Sequence, residues 1–345
     1  MNDAPRGSRR PRRTSGRITL DDVARAAAVS PITVSRALRG ERSVDPVLAQ
    51  RVREAADQLG YVPDPAARAL ASQRSTQVLV LVPLLSNTLF VDLLEAVHRT
   101  LFPEGYQPLI GVTHYDAAEE ELLLRTYLPH RPAGLLVTGF DRSETSRQLI
   151  TRSGVPCVHL METSTAQGVP CVGFSQVDAG AAITRHLLDR GRRRIAFCGA
   201  QLDPRVMQRA EGYRRCLREA GLYDARLETL SPERSSVALG ARLFEEMLQR
   251  TPDIDAIFFC HDDIAQGGLL AANRLRVPVP ERIAIAGFND LAGSDQMVPP
   301  LTTVRTPRSE VGRAGATMLL GMMRGTLPQP GCISLDYELV IRGST

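Results

Sequence analysis

The feature that most restricts the fold of this chain is a repeated alternation of short apolar runs with longer helical segments. Residues 77–82 form a continuous β-branched and leucine run, which is typical of a strand buried on both faces. A polar turn and a helical segment at 90–101 follow it, and further strand-like runs begin near residues 107, 134, 194, 256 and 283. Such alternation predicts parallel sheets with helices on both faces.

The predicted strands outnumber those that one compact sheet needs, which favours two similar α/β halves. Ligands of such folds bind in the crevice at the carboxyl ends of the parallel strands. The loops that directly follow predicted strands are therefore candidate ligand-binding segments. Their polar and aromatic side chains in the first half are Ser86, Asn87, Phe90, Thr113, His114, Tyr115 and Thr138.

Positive charge is concentrated near the N-terminus. Residues 1–76 hold 14 Arg and 8 Asp or Glu, a net charge of +6, whereas residues 77–345 hold 28 Arg and 30 Asp or Glu, a net charge of −2. This asymmetry suggests that only the first segment binds a polyanion. The chain contains no lysine, so it cannot form a Walker-type phosphate loop or a lysine Schiff base.

Three helix start signals follow one another between residues 18 and 62. In each signal, the residue directly before the helix has a side chain that can accept hydrogen bonds from the N–H groups of the first turn. In two of them a proline follows, and its fixed φ suits the first helical position. Apolar residues at helical spacing follow, and glycines end the second and third segments. The capping positions are Thr19, Ser30 and Asp45.

Two short helices joined by a tight turn, with a third after them, are typical of a helix-turn-helix unit that binds DNA. The second predicted helix is rich in Ser, Thr and Arg and turns mainly Val34 and Leu38 inward, which suits insertion into a major groove. Arg36 would there hold O6 and N7 of a guanine through two hydrogen bonds. The alternative is a three-helix cap whose arginines are only solvated, and helical spacing alone does not exclude it.

Two runs in this region carry a family resemblance. LDDVARAAAVSPITVSRAL (20–38) and LGYVPDPAARAL (59–70) resemble the head and hinge of the lactose-repressor family of bacterial transcription regulators. The resemblance continues to the last residue. It implies a small all-α helix-turn-helix domain (18–62), a hinge with a hinge helix (63–76), and an effector-binding and dimerisation domain (77–345). That domain is expected to be an α/β body of two periplasmic-binding-protein-like lobes, with parallel sheets covered by helices on both faces.

By this resemblance the chain binds double-stranded operator DNA as a homodimer, because a palindromic operator is read by paired heads. Residues implied to contact bases or phosphates are Thr19, Ser30, Pro31, Ile32, Thr33, Ser35 and Arg36 of the head, and Ala67 and Leu70 of the hinge. Leu70 would act as an apolar wedge in the minor groove. The Arg-rich tail, residues 1–17, is predicted to be disordered, and it either adds sequence-independent attraction to DNA or is inert.

Two positions depart from the family pattern. Ala28 stands where the family usually has a glycine in the turn between the first two helices, which is tolerable if the turn needs no positive φ there. Asp64 stands where an asparagine usually follows proline, a change that would weaken a cap or a backbone contact.

The resemblance also places effector-binding residues in the second half of the chain. Arg209 matches an effector-binding arginine, His261 replaces an asparagine, and Asn289 replaces an aspartate that binds sugars. Loss of that carboxylate removes repulsion of an anion, and Arg209, Arg205 and a protonated His261 would attract one. The full set of expected effector-binding residues is Ser86, Asn87, Phe90, Tyr115, Thr138, Arg205, Arg209, His261 and Asn289.

We therefore expect a sugar-acid effector. The runs GAQLDPR (199–205) and IAGF (285–288) also resemble the gluconate-operon repressors of the family, which favours gluconate or a ketogluconate. The expected function is repression of sugar-acid utilisation genes, with release from the operator when the effector binds. A neutral sugar or a purine is the alternative effector. Separately, the alternative for His261 and Arg205 is that they are surface or supporting groups.

The family implies that the chain crosses between the lobes three times. The expected boundaries are residues 77–174 with 306–325 for one lobe, and residues 175–305 with 326–345 for the other. The six cysteines contain no C-x-x-C pair and lie mostly in apolar runs, so we expect small buried thiols rather than disulfides or metal ligands.

Other classes of protein fit less well. A sugar-binding transport protein would explain the body but not the helix-turn-helix unit, and the N-terminus lacks the apolar segment of a secretory signal. No run is long enough to span a membrane, so a cytoplasmic protein is expected. His261 with Asp262, or His114, would offer a general base, but no nucleophile elbow, metal spacing or phosphate loop accompanies them. We expect no enzyme activity, no cofactor and no metal.

Overall fold

The computed structural model describes residues 18–40, 43–62, 75–85, 88–164, 166, 168–326 and 328–345. The chain divides into two compact units, residues 1–74 and residues 75–345. The N-terminal tail, the hinge residues Ala67 and Leu70 with the departure at Asp64, and the predicted cleft residues Ser86 and Asn87 lie outside the described residues.

The first unit contains the three predicted helices, and the predicted capping residues are confirmed. Thr19 and Asp22 form a reciprocal capping box, in which the Asp22 N–H donates to Thr19 Oγ1 and the Thr19 N–H donates to Asp22 Oδ2. Ser30 accepts from the Thr33 N–H, and Asp45 accepts from the first turn of its helix. The helices are α1 (Leu20–Ala26), α2 (Pro31–Leu38) and α3 (Pro46–Leu59).

One apolar residue from each helix lies at the centre of this small unit. Val23, Val34 and Val52 are completely buried, and alanines of all three helices pack around them. Because these residues are small, the helices approach closely around a compact core. The outer face of α2 is left exposed to solvent.

The sequence left open whether the turn between α1 and α2 needs a positive φ at Ala28. Ala28 has a φ of 53°, so the turn does require the left-handed conformation that the family's glycine would supply. An alanine side chain is strained there by about 1–2 kcal/mol. The chain bears this cost because the cores of α1 and α2 fix the turn on both sides.

Ala28→Gly should therefore stabilise the first unit by about 0.5–1 kcal/mol, because relief of strain outweighs the greater freedom of glycine in the unfolded chain. Native-state hydrogen exchange of the amides of α1–α3 measures this, with slower exchange expected. Ala27, with a φ of −82°, is the matched control, and Ala27→Gly should speed exchange. Faster exchange in Ala28→Gly would show that the turn is not strained.

The second unit is built from two parallel sheets. The strands are β1 (Gln77–Val82), β2 (Gln107–Val112), β3 (Gly134–Thr138), β4 (Cys157–Leu160), β5 (Cys171–Gly173), β6 (Ile195–Ala200), β7 (Glu228–Ser231), β8 (Ala256–Phe259), β9 (Ala284–Ala286), β10 (Thr303–Arg305), β11 (Cys332–Ser334) and β12 (Glu338–Val340). The first sheet has the strand order β11-β5-β4-β3-β1-β2, and the second has the order β7-β6-β8-β9.

Eight helices of the described residues accompany these strands. They are α4 (Leu89–Leu101), α5 (Ala117–Tyr127), α6 (Glu144–Ser153), α7 (Gln176–Asp189), α8 (Pro204–Glu219), α9 (Val237–Arg250), α10 (Asp262–Leu275) and α11 (Arg308–Met323). We call the first sheet with α4, α5, α6 and α11 the first lobe, and the second sheet with α7–α10 the second lobe. No helix in the described part of the chain is long and apolar enough to cross a membrane.

The β10 segment connects the two lobes. It pairs with β12 in antiparallel fashion, and it also runs beside β9 in parallel, with bridges between Ala286 and Thr302 and between Asn289 and Arg305. The second sheet is therefore extended by the β10 segment, which then leads directly into α11 of the first lobe.

Glycine contacts bring the helices of the second lobe close together. A Cβ at Gly180 of α7 would lie 2.5 Å from the backbone oxygen of Arg209 on α8, and one at Gly212 would lie 2.0 Å from the oxygen of Val177. Any larger residue at either position would push the two helices apart. The position of the Arg209 backbone is thus fixed by this close packing.

The expected lobe boundaries need one correction. The expected second lobe includes all of residues 326–345, but β11 pairs in parallel with β5 and so belongs to the first sheet. The β11 strand extends the first sheet at the edge beside β5. Of the two strands in residues 326–345, only β12 pairs with β10. Strand pairing of this kind depends on contacts between residues 161 positions apart, which no local pattern reveals.

The cysteine expectation is also corrected at one pair. Cys171 and Cys332 form a disulfide, because the parallel register of β5 and β11 places them opposite each other with Cα atoms 4.5 Å apart. The other four cysteines are free thiols, of which Cys198, Cys216 and Cys260 are buried.

Candidate ligand cleft and nucleic-acid interface

The α2 helix presents a polar outer face with one large apolar residue. Ile32 is 65% exposed, Pro31 and Arg36 are exposed, and Thr33 and Ser35 are half-buried beside them. Val34 and Ala37 point into the core and fix the rotation of the helix. The two hydroxyls of Ser30 and Thr33 lie 2.9 Å apart at the N-terminus, where the helix dipole favours an anion such as phosphate.

Arg209 of α8 lies at the centre of the ligand-cleft candidate. Its side chain is only 2% exposed, and its guanidinium lies 3.9 Å from the centre of the Phe288 ring. Nε donates to Gln176 Oε1 at 2.9 Å, and Nη1 donates to the Cys260 oxygen at 2.8 Å. Nη2 makes no hydrogen bond to any residue that the structure describes. The guanidinium is therefore rigidly held with one edge available.

His261 lies beside this guanidinium, and it is neutral rather than positively charged. Burial, followed by the nearby Arg209, lowers the pKa of His261 to about 4. Its Nδ1 lies 3.2 Å from Nη1 of Arg209 and 3.2 Å from Nδ2 of Asn289, and both of these nitrogens are donors. Nδ1 must accept, so the proton of the ring is on Nε2. The expectation that His261 adds positive charge is wrong.

Asn289 contributes an open acceptor to the same cluster. Its side chain is completely buried, its amide nitrogen faces His261, and its Oδ1 has no hydrogen-bond partner among the described residues. The backbone φ of 111° is unusual for a residue other than glycine and is held by the Asn289 N–H, which donates to Val304 at 2.8 Å. A buried oxygen without a partner is costly unless a ligand supplies the donor.

Arg205 does not provide the free positive charge that the sequence suggested. Its Nη1 lies 2.9 Å from Glu162 and 3.5 Å from Asp141, and its Nε lies 3.3 Å from Asp203. Three carboxylates thus compensate one guanidinium that is 4% exposed. The positive charge that remains for a ligand is that of Arg209.

The contacts of Arg205 join the two lobes. Arg205 belongs to α8 of the second lobe, whereas Glu162 and Asp141 follow strands of the first lobe. Gln208, one turn further along α8, also donates to Glu162 at 3.0 Å. A Cβ at Gly139 would lie 2.3 Å from Nη1 of Arg205, so only glycine permits this approach. We call the contact between Arg205, Gln208 and Glu162 the lobe bridge.

Three other predicted cleft residues lie in different surroundings. Tyr115, with a φ of 60°, places its ring 5.7 Å from the Arg205 guanidinium, and burial raises its pKa. The Thr138 hydroxyl donates to the Leu81 oxygen at 3.1 Å. Phe90 packs in the apolar core and is 1% exposed, so it is not brought to the polar cluster. The structure thus groups Tyr115 with Arg205, and Arg209 with His261 and Asn289.

The sequence did not single out three residues that orient the two arginines. Glu162 and Asp203 pair with Arg205, and Gln176 accepts a hydrogen bond from Arg209. Asp203 was detectable, because Asp before Pro204 is a helix-capping signal and the structure shows this cap. No local signal points to Gln176 or Glu162, because their partners lie 33 and 43 positions away.

A three-helix head with an exposed second helix, and a two-lobed body with a buried cluster of polar groups, define the class of ligand-controlled DNA-binding regulators. Residues 19–64 match the bacterial regulatory proteins of the lacI family, and residues 184–345 match the periplasmic binding protein-like domain. The chain belongs to the lacI family of bacterial transcription regulators.

Individual relatives agree with this assignment. The chain is 55% identical to the HTH-type transcriptional regulator GntR of Pseudomonas aeruginosa, over 96% of this chain and 97% of that protein. It is 33% identical to the regulator of the same name from Escherichia coli K12, over 95% and 98% of the two chains. The transport-protein and enzyme alternatives are therefore not supported.

Solved structures give the same result. A transcription regulator GntR from Chromobacterium violaceum, 48% identical, matches with a TM-score of 0.76 over 78% of this chain and 98% of that chain. A lacI-family regulator from Silicibacter pomeroyi, 33% identical, matches with a TM-score of 0.88 over 95% and 99% of the two chains. The predicted two-lobed fold with a helix-turn-helix head is confirmed.

Proposed function

We propose that this regulator represses genes for sugar-acid utilisation and is released from a palindromic operator when a sugar acid, such as gluconate, binds in the cleft. The observation that carries the proposal is the open Nη2 edge of Arg209 beside an amide, Asn289, in place of a carboxylate. The names of the relatives, which include the regulators GntR and IdnR, support it.

Arg209 suits a carboxylate ligand for two physical reasons. Its plane is fixed by the Phe288 ring and by hydrogen bonds to Gln176 and Cys260, so little side-chain entropy is lost on binding. In addition, charge-assisted hydrogen bonds in a buried site are about twice as strong as neutral ones. A carboxylate at Asn289 would oppose such binding, whereas the amide does not.

The remaining groups of the cluster suit hydroxyls. Oδ1 of Asn289 needs a donor, and Nε2 of neutral His261 is a donor. A molecule with a carboxylate at one end and several hydroxyls along its length satisfies both requirements. This combination is that of a sugar acid.

A neutral sugar is the second candidate effector. The three carboxylates around Arg205 accept hydroxyl hydrogens readily and would repel an anion placed next to them. We favour the sugar acid, because these carboxylates are already paired with Arg205, whereas Arg209 has no carboxylate in direct contact within the described residues.

The lobe bridge offers a physical route from the ligand to the operator. A ligand shifts a conformational equilibrium only as far as it binds one state more tightly than the other. Binding at Arg209 takes place on the same helix as Arg205, so a change in lobe arrangement would lengthen or shorten the contact between Arg205 and Glu162. We propose that the bridge distinguishes the two states.

We further propose that the operator is bound by a homodimer. Large apolar residues are exposed on the first lobe, on α4 and directly after it, on the edge strand β2 and on α5, and an exposed edge strand invites pairing. A two-fold interface on this face would match a palindromic operator. These exposed residues are Val91, Phe102, Ile110 and Leu122.

The proposed function is tested by operator binding in the presence of candidate ligands. An operator fragment is obtained by in vitro selection with the full-length protein, and its affinity is then measured with gluconate, glucose or a purine nucleoside added. Release by gluconate and not by the neutral compounds supports the sugar-acid proposal. Release by glucose alone would favour the second candidate.

A further inference from the structure

We propose that Thr306 is a further effector-binding residue, whose hydroxyl forms a hydrogen bond with a hydroxyl group of the ligand. This inference rests on the proposed function, because it requires a ligand rich in hydroxyls. It assigns a role to a residue of the segment between the lobes that is not among the effector-binding residues expected from the sequence.

The position of Thr306 follows from the topology. The β10 segment runs parallel to β9, with Asn289 bridged to Arg305, so the residue after Arg305 leaves the sheet at the edge where the parallel strands end. His261 follows β8 and Asn289 follows β9 at that same edge. Ligands of parallel α/β sheets bind at this edge.

The second observation concerns the burial and the hydrogen bonding of the Thr306 hydroxyl. Thr306 is 4% exposed, and its Oγ1 has no hydrogen-bond partner among the described residues. Two nearby threonines of the same segment differ in this respect, since Thr303 donates to Asp262 at 2.6 Å and Thr302 donates to the Arg342 oxygen at 3.1 Å. A buried hydroxyl is rarely left without a partner unless another molecule supplies one.

The backbone around Thr306 is held in a fixed relation to Asn289. The Asn289 N–H donates to Val304, the Arg308 N–H donates to the Thr306 oxygen at 2.9 Å, and the Arg308 side chain donates to the Asn289 oxygen. Two buried oxygens without partners, Oδ1 of Asn289 and Oγ1 of Thr306, therefore lie on neighbouring segments of one rigid edge. This arrangement suits two hydroxyls of one polyol chain.

The first part of the test uses the ligand-free protein. Thr306→Val removes a hydroxyl that has no partner, so the Tm should stay unchanged or rise. Thr303→Val is the matched control, because it removes a donor to Asp262 and should lower the Tm by about 2–4 °C. A fall in Tm for Thr306→Val as large as that of Thr303→Val would assign the hydroxyl a structural role and overturn the proposal.

The second part measures ligand affinity by calorimetry with gluconate. Thr306→Val should bind gluconate about 3- to 10-fold more weakly than the original chain, which is the effect of one lost hydrogen bond. Thr184→Val, whose hydroxyl bonds within α7 to Gly180, should bind normally. Equal affinities for the original chain and Thr306→Val would overturn the proposal.

Failure of the proposed function would give a different pattern. If the original chain binds glucose or another neutral polyol and not gluconate, the sugar-acid proposal is wrong. The affinities of the original chain and of Thr306→Val for that polyol are then compared. An affinity about 3- to 10-fold lower in Thr306→Val supports the role of Thr306, whereas equal affinities overturn it. Absence of binding by every polyol would overturn both proposals.

Discussion

Arg209→Met should lower the affinity for gluconate by about 100-fold, which corresponds to about 3 kcal/mol. Methionine keeps much of the apolar contact with Phe288 but removes the charge and the open Nη2 edge. The ligand carboxylate would then be buried without a cation, which costs more than the loss of a single neutral hydrogen bond. Isothermal calorimetry on the full-length protein measures this affinity, and circular dichroism checks that the variant is folded.

The control lies on the same helix. Arg215 of α8 is half-exposed and pairs with Asp178 at 2.7 Å, so Arg215→Met removes one cation without touching the polar cluster. Its affinity for gluconate should be unchanged, because exposed ion pairs are screened by solvent. If Arg209→Met bound gluconate as tightly as Arg215→Met does, the anion would be held elsewhere.

Arg36→Ala should abolish the preference for one base pair in each half-site of the operator, which is the pair that Arg36 contacts. A bidentate contact to guanine contributes about 1–3 kcal/mol of discrimination, or about 5- to 150-fold for each half-site. Fluorescence anisotropy with the selected operator and with variants of the contacted base pair measures this at one fixed salt concentration. Affinity for unrelated DNA should fall much less, because it depends on phosphate contacts.

The comparison variant is Arg25→Ala. Arg25 is exposed and pairs with Asp22 at 3.0 Å, and it belongs to α1 rather than to α2. Its removal should weaken binding to all sequences about equally or leave it unchanged. Unchanged base preference in Arg36→Ala would show that another residue of α2 reads the operator.

Local structure was predictable wherever neighbouring residues determine it. The helix caps at Thr19, Ser30 and Asp45 were found from the sequence because capping depends on side chains within three residues of the amides they bond. The buried strands β1 and β8 were found because both faces are covered, which leaves a continuous apolar run. The conformation at Ala28 was not decided by the sequence, since alanine does not favour a positive φ.

Short strands in the connections between lobes were harder to predict. The β11 segment has only three residues, and its membership of the first sheet depends on pairing with β5. The same pairing brings Cys171 opposite Cys332, so the error in the lobe boundary and the error in cysteine pairing have one cause. A three-residue strand carries too little periodicity to show which sheet it joins.

The charges of the cleft could not be predicted from residue types alone. Arg209 was identified, but the neutral state of His261 depends on burial and on the guanidinium beside it. Compensation of Arg205 requires Glu162 and Asp141, which lie 43 and 64 positions earlier in the chain. A sequence shows which groups can ionise, whereas their charge in the folded protein is set by neighbours that only the fold brings together.

The most direct test of the central claim is the affinity of the full-length protein for its selected operator with and without saturating gluconate. Coupling energies between two sites are typically about 1–3 kcal/mol, so gluconate should weaken operator binding by about 5- to 150-fold. Arg209→Met should bind the operator normally and lose this response. Operator affinity that is the same with and without gluconate in the original chain would contradict control of this regulator by a sugar acid.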